Sequence, residues 1–210
     1  MKAYVFDFDG TLVDSMPVFG AAVLHVLEKN GVVYPPDIVK IITPLGFAGT
    51  ADYFIRELGA KCSREALVEE MTAYMVDAYL HTIPAKRHVA DTLRALLARG
   101  DRLAILTASP HQTLDPCLKR LGIYDFFERV WSCDDFATTK ADSNIYIMAA
   151  KELGIPISEL IFLDDNINAD TTAVAAGARV FGVFDESSAD MESEMRKVCE
   201  RYIRDFSELL

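Results

Sequence analysis

Hydrophobic and polar positions along the chain fall into two regimes. The first apolar run, Tyr4–Phe6, is short and ends in two carboxylates, Asp7 and Asp9, followed by Gly10. A run of that length closed by Gly-Thr predicts a buried strand that breaks at its C-terminal end. Between residues 16 and 82 the apolar positions recur with helical period only. They predict helices over Pro17–Lys29, with Val18, Ala22, Leu24, Val26 and Leu27 on one face, over Asp37–Ile42, over Asp52–Leu58 and over Ser63–Leu80, where Ser63 is able to cap. Gly46–Gly49 predicts a loop.

After Ile83-Pro84 the two periods alternate. Helices are predicted over Val89–Arg99, Gln112–Leu121, Asp142–Leu153, Thr171–Ala176 and Ser188–Glu200. Strands are predicted over Arg102–Leu106, Arg129–Ser132, Leu160–Leu163 and Ala178–Phe184, with a last short one near Tyr202-Ile203. Alternation of this kind means a parallel sheet covered by helices on both faces. The expected fold is therefore α/β, a Rossmann-like parallel sheet core with a small α-helical domain inserted after strand 1. The core is residues 1–15 and 83–210, the insert residues 16–82. Sites in such sheets lie beyond the carboxyl ends of the strands. That rule gathers Asp7 and Asp9, Thr107–Ser109, Lys140, and Asp164 and Asp165 at one pole.

Strand side chains alternate, so Asp7 and Asp9 are expected on the same side just past the strand. Two carboxylates held together repel unless they share a proton, meet a Lys or Arg, or bind a divalent cation. With Mg²⁺ the pair becomes half of an oxygen site, and one carboxylate is left to attack phosphorus. Such a pair also caps turns at strand ends, so the remaining acids and the lysine decide between the readings.

Composition narrows the partners. The chain has 210 residues, 51% of them hydrophobic, a net charge of −11 and a pI near 4.8. An acidic surface argues against nucleic acid, which is bound by clustered Lys and Arg. It leaves room for a phosphorylated small molecule, which needs only a local cation. No apolar run reaches membrane-spanning length, and no N-terminal signal peptide is expected. A reduced cytoplasmic setting is expected, with Cys62, Cys117, Cys133 and Cys199 as buried thiols. His25, His81, His88 and His111 lack zinc spacing.

Asp7–Ser15, D-F-D-G-T-L-V-D-S, resembles the first motif of the haloacid dehalogenase superfamily. Leu106–Ser109 is similar to the second motif, Lys140 with Tyr146 to the third, and Ile161–Asp165 followed by Gly177 to the fourth. The order is right and the resemblance covers the whole chain, with the helical insert where the family carries its small cap. The adjacent acids Asp164-Asp165 resemble those of the β-phosphoglucomutase-like branch of capped phosphatases.

The resemblance implies a phosphohydrolase acting on a small phosphorylated metabolite, including sugar phosphates. Asp7 would be the nucleophile that forms an aspartyl-phosphate, and Asp9 the general acid and then base. Thr107 and the Ala108 N–H would bind a phosphate oxygen, with Gly10 and Ser109 beside them, and Lys140 would neutralise charge. Mg²⁺ would be held by Asp7, Asp165 and the Asp9 carbonyl, with Asp164 a further or indirect ligand. Asp170 reads as a partner of a helix dipole. In the insert, the Leu45–Thr50 loop with Thr50, and Arg56, are candidates to touch substrate, as are Lys86 and Arg87 after it. A monomer or weak homodimer is expected. A phosphosugar mutase on the same site, or a regulatory protein that binds a phosphometabolite and turns over little, are the alternatives. Two departures stand out: both prolines of the third motif are absent, which puts Asp142 near Lys140, and Ala169 replaces an acid in the fourth.

Overall fold

The computed structural model describes residues 1–42 and 45–210. The chain forms two compact units, Met1–Asp14 with Pro84–Leu210, and Ser15–Ile83.

The first unit is built on a six-stranded, wholly parallel sheet. Its strands are β1 (Ala3–Phe6), β2 (Arg102–Thr107), β3 (Arg129–Ser132), β4 (Leu160–Asp164), β5 (Arg179–Val183) and β6 (Arg201–Ile203), in the order β3-β2-β1-β4-β5-β6. β1 is central, with Phe6 in register with Ile105 of β2 and Leu163 of β4. The chain leaves β1 on one side through β2 and β3 and on the other through β4 to β6. The carboxyl ends of β1, β2 and β4 therefore meet where the winding reverses, the place where such sheets bind ligands.

β1 is apolar at every position because both of its faces are covered. Ala3 and Val5 pack with Ala104, Leu106, Leu160, Phe162 and Tyr146 in one core cluster. On the other face Tyr4 stacks on Phe6, whose ring lies 6.1 Å from that of Phe206. The flanking helices are α5 (Val89–Ala98), α6 (His111–Arg120), α7 (Asn144–Glu152), α8 (Ile167–Ala175) and α9 (Glu192–Val198). The helix expected over Ser188–Glu200 is in fact two pieces. Asp185 accepts from the Ser187 N–H and starts a 3₁₀ turn over Glu186–Met191, and α9 follows.

The helical unit holds α1 (Met16–Lys29), α2 (Ile38–Ile42), α3 (Gly46–Arg56) and α4 (Arg64–His81). They enclose Val23, Val26, Leu27, Ile38, Ala51, Phe54, Leu67 and Met71. Ser63 caps α4 by accepting from the Ala66 N–H at 3.2 Å. The expected loop at Gly46–Gly49 is instead the first turn of α3. Phe47 stacks on Phe19 with ring centroids 5.0 Å apart, and that packing outweighs the low helix propensity of the two glycines. No helix among the described residues is long and apolar enough to cross a membrane.

Candidate active site

β1 ends at Phe6, and the Asp7 N–H donates to the Leu163 carbonyl at 2.8 Å, so the first acid stays tied to β4. The chain then turns back on itself. The Gly10 N–H bonds the Val13 carbonyl, and the N–H groups of Leu12 and Val13 both bond that of Phe8. The strand has already ended, so simple alternation no longer sets the direction of Asp9. The expected convergence of the two side chains gives way to separate partners. Asp7 is buried with its Oδ1 2.9 Å from Lys140 Nζ, an ion-pair distance with no hydrogen bond aligned to that oxygen. Asp9 is half-buried and accepts from the Ser109 hydroxyl.

Gly10 sits at φ +68°, and a Cβ there would fall 2.4 Å from Asp165 Oδ2. Only glycine permits both the left-handed turn and the approach of the β4 loop. Thr11 is fully buried and donates its hydroxyl to Asp165 Oδ1 at 3.0 Å.

At the end of β4, Asp164 is wholly buried. Its Oδ2 accepts from Lys140 Nζ at 2.7 Å and its Oδ1 from the Asn166 N–H at 2.8 Å. Asn166 in turn caps α8 by accepting from the Asn168 N–H. Among the described residues, Asp7, Asp164 and Asp165 are the acids whose oxygens lie within 4.8 Å of one another as a group of three. Burial raises Asp164 to about 7, with the Lys140 charge opposing the rise. Burial, and then the charges of Asp164 and Asp7, hold Asp165 well above the carboxylate range. Burial alone would pull Lys140 down, but Asp164 and Asp7 outweigh it and raise it well above a free lysine. The Tyr146 hydroxyl lies 3.0 Å from the Lys140 carbonyl and 3.1 Å from that of Ala169, donating to one at a time, and so pins the lysine loop to α8.

Asp142 does not compete for the lysine. Its carboxylate accepts from the Thr138 hydroxyl at 3.1 Å and from the Asn144 N–H at 3.0 Å, an Asx turn at the start of α7. At the end of β2, Thr107 is buried and its Oγ1 accepts from the Ser109 N–H at 3.1 Å, while Ala108 is exposed. His111 faces neither group: its ring nitrogens reach Asp115 at 2.8 Å and Asp135 at 2.9 Å, and these bonds raise its pKa.

The site suits a hard divalent cation. Asp7, Asp164 and Asp165 bring three buried carboxyl groups together, two of them paired with Lys140, and form an all-oxygen donor set of the kind Mg²⁺ takes once its protons are displaced. Asp164 already holds Lys140 and the Asn166 N–H, which leaves Asp7 and Asp165 the less encumbered pair. The helical unit carries the other two expected substrate contacts. Thr50 is fully buried within α3, not on a loop, and its hydroxyl has no hydrogen-bond partner among the described residues; Arg56 is exposed at the end of that helix. Of the cysteines, Cys117 and Cys133 are buried, whereas Cys62 and Cys199 are only partly so.

Two residues have roles that local sequence did not suggest. Lys86 is not a free surface cation. Its Nζ donates to the carbonyls of Gly10 and Phe184, the latter at 2.7 Å, and pairs with Asp185 at 2.8 Å. It ties the turn after β1 to the end of β5. Asp170 is wholly buried in the first turn of α8, where Oδ2 accepts from the Cys199 thiol at 3.1 Å. Burial, then the Asp164 charge, raise it to about 8, so at neutral pH it is mostly uncharged and is no partner for a helix dipole.

Residues 1–177 match the family model described as haloacid dehalogenase-like hydrolase. A phosphoglycolate phosphatase from Thiobacillus denitrificans is 30% identical over 192 residues, covering 87% of this chain and 83% of that protein. The pyrophosphatase PpaX of Bacillus velezensis is 30% identical over 185 residues, covering 87% of this chain and 83% of its own. A Thermotoga maritima structure provisionally described as a β-phosphoglucomutase superposes with a TM-score of 0.87 over 100% of this chain and 97% of the other; at 21% identity the likeness is one of fold.

Proposed function

Because the chain belongs to the haloacid dehalogenase-like hydrolases and is a phosphoric monoester hydrolase, we propose that it moves the phosphoryl group of a small phosphorylated metabolite first to Asp7 and then to water. The observation that carries this reading is the cluster of Asp7, Asp164 and Asp165 at the carboxyl edge of β1 and β4, with Lys140 paired to the first two.

An Asp7 carboxylate oxygen attacks phosphorus, and the bond to the leaving oxygen breaks as Asp9 gives that oxygen a proton. Asp9 then takes a proton from water as it attacks the phosphoryl group. The bond to Asp7 breaks, and inorganic phosphate leaves. Lys140, fixed by Asp164 and by Tyr146 through its carbonyl, orients Asp7 and offers positive charge to the phosphate. Thr107 and the N–H of the exposed Ala108 would bind the same oxygens. Asp7, Asp165 and the Asp9 carbonyl would hold Mg²⁺, which supplies charge neutralisation at the phosphate. We read the helical unit as the family's cap, with Arg56 as the residue there to test for substrate selection.

The test is phosphate release from p-nitrophenyl phosphate and from a panel of phosphorylated acids and sugars, with Mg²⁺ and with EDTA. Metal-dependent release that vanishes in Asp7→Asn is expected. Undiminished release by that variant removes Asp7 as the nucleophile. Exchange of phosphate between positions of a sugar bisphosphate, without release, would replace the hydrolase with a mutase.

A further inference from the structure

Asp9 does not stand alone beside the nucleophile. The Ser109 hydroxyl, on the loop after β2 and a hundred residues away in sequence, donates to Asp9 Oδ2. Ser109 is itself fixed, because its N–H donates to the buried Thr107 Oγ1 at 3.1 Å. Thr107 ends a strand hydrogen-bonded to β1, so the donor and the acid rest on neighbouring strands of one rigid sheet. Both side chains are half-buried, which leaves the hydroxyl sheltered enough to hold its bond.

From this contact we infer that Ser109 is a positioning residue that fixes the proton Asp9 delivers to the leaving group. The inference rests on the proposed phosphohydrolase reading and assigns Ser109 a role other than contact with phosphate. With Oδ2 accepting from the serine, the transferable proton is carried by Oδ1, and the carboxyl plane is set before substrate arrives. A carboxylic acid on a short, two-torsion side chain loses its advantage when it rotates out of line with the breaking P–O bond. In the first step the P–O bond breaks, its electron pair stays on the leaving oxygen, and the Oδ1 proton moves to that oxygen. In the second step the same oxygen of Asp9 takes a proton from water, which restores the acid. Ser109 keeps its own proton throughout.

A group that manages proton delivery matters most where the leaving oxygen is most basic. p-Nitrophenolate is stable as an anion at neutral pH and departs with little help, whereas phenolate is a stronger base and needs the proton. The two esters differ little in size, so their ratio isolates protonation from binding. The experiment measures kcat/KM, which reports the step that cleaves the ester, for p-nitrophenyl phosphate and phenyl phosphate with Mg²⁺. It uses the wild-type chain, Ser109→Ala and Ser109→Thr.

In Ser109→Ala both values fall, and the preference for p-nitrophenyl phosphate rises by about tenfold, a fraction of the range general acids supply. Ser109→Thr, which keeps the hydroxyl, restores the wild-type preference. Equal losses on both esters in Ser109→Ala overturn the inference and return Ser109 to phosphate contact. A shifted preference that Ser109→Thr fails to restore, with melting temperatures unchanged, also overturns it, because the hydroxyl would then not be the cause. A wild-type chain that turns over neither ester with Mg²⁺ removes the phosphohydrolase reading and this inference with it, an outcome told apart from the others by the wild-type measurement alone.

Discussion

In the metal-free protein the acid cluster should make stability fall as pH rises through neutrality, and Mg²⁺ should reverse that fall. Asp164 is buried completely, and its pKa rises from 3.8 to about 7. A group raised in the folded state gives its full stabilisation below its unfolded pKa and loses it as pH climbs through the folded value. For Asp164 the loss between about pH 4 and pH 8 is on the order of 4 kcal/mol, at about 1.4 kcal/mol per tenfold change in proton affinity. Asp165 shifts in the same direction, and Asp170, raised to about 8, extends the fall toward alkaline pH. A cation that binds the ionised cluster displaces protons from it, so its effect grows as the protons become easier to remove. At a concentration a hundredfold above Kd it adds about 2.7 kcal/mol. For a chain of this length that is roughly 5–10 °C in melting temperature.

The assay is a set of melts in EDTA and in millimolar MgCl₂ from about pH 6 to about pH 9. The difference between the two curves should widen with pH. Asp164→Asn, which has no proton to lose at that position, should flatten the EDTA curve. A Mg²⁺ effect that is absent throughout, or that narrows as pH rises, refutes the argument that buried, protonated acids form the cation site.

Three further outcomes follow from single contacts. Gly10→Ala forces a methyl to within 2.4 Å of Asp165 Oδ2. It should cost about a hundredfold in kcat/KM and abolish Mg²⁺ stabilisation, as expected when a site group moves by about 1 Å; retained Mg²⁺ stabilisation would show that the loop yields. Lys86→Met leaves Asp185, whose carboxylate is 4% exposed, without its cation. Urea unfolding should show a loss of about 3 kcal/mol, near the lower bound for a broken buried pair because Ser187 still donates to Asp185; a loss below about 1 kcal/mol contradicts the tether. Asp142→Ala removes an Asx turn and no contact to Lys140, so turnover should stay within about twofold while the melting temperature falls slightly; a tenfold change in kcat would show that Asp142 acts on the lysine.

The core was legible because its physics is local. Strands buried on both faces read as unbroken apolar runs, and the acids at the ends of β1 and β4 sit where those runs stop. The helix starts were less legible where tertiary packing competes with propensity. Gly46 and Gly49 read as a loop, but the stacking of Phe47 on Phe19 is a contact between helices that no window of sequence contains. Lys86 precedes a helix as any surface lysine would. Its partners at Gly10 and Phe184 lie 76 and 98 residues away. Asp170 occupies the place of a dipole partner in the first turn of α8. What changes its chemistry is complete burial, and then the Asp164 charge at the end of β4, which outweigh the bond from Cys199, 29 residues on. In each case the residue type was visible and the environment was not.

The third motif shows how such a gap resolves. Loss of both prolines around Lys140 suggests a slack loop with a stray acid in it. Rigidity there has a different source. Tyr146, on the buried face of α7, sets its hydroxyl between the Lys140 carbonyl and the Ala169 carbonyl of α8, and Asp142 spends its carboxylate on Thr138 and the start of the helix. Proline fixes a loop by removing backbone freedom in the unfolded chain, whereas the Tyr146 bonds form only once α7 has docked on the sheet. The lysine is thus held by tertiary contacts added to the local Asx turn. Its ion pairs with Asp7 and Asp164 therefore depend on the packing of Tyr146 against Phe162, whose ring lies 5.0 Å away.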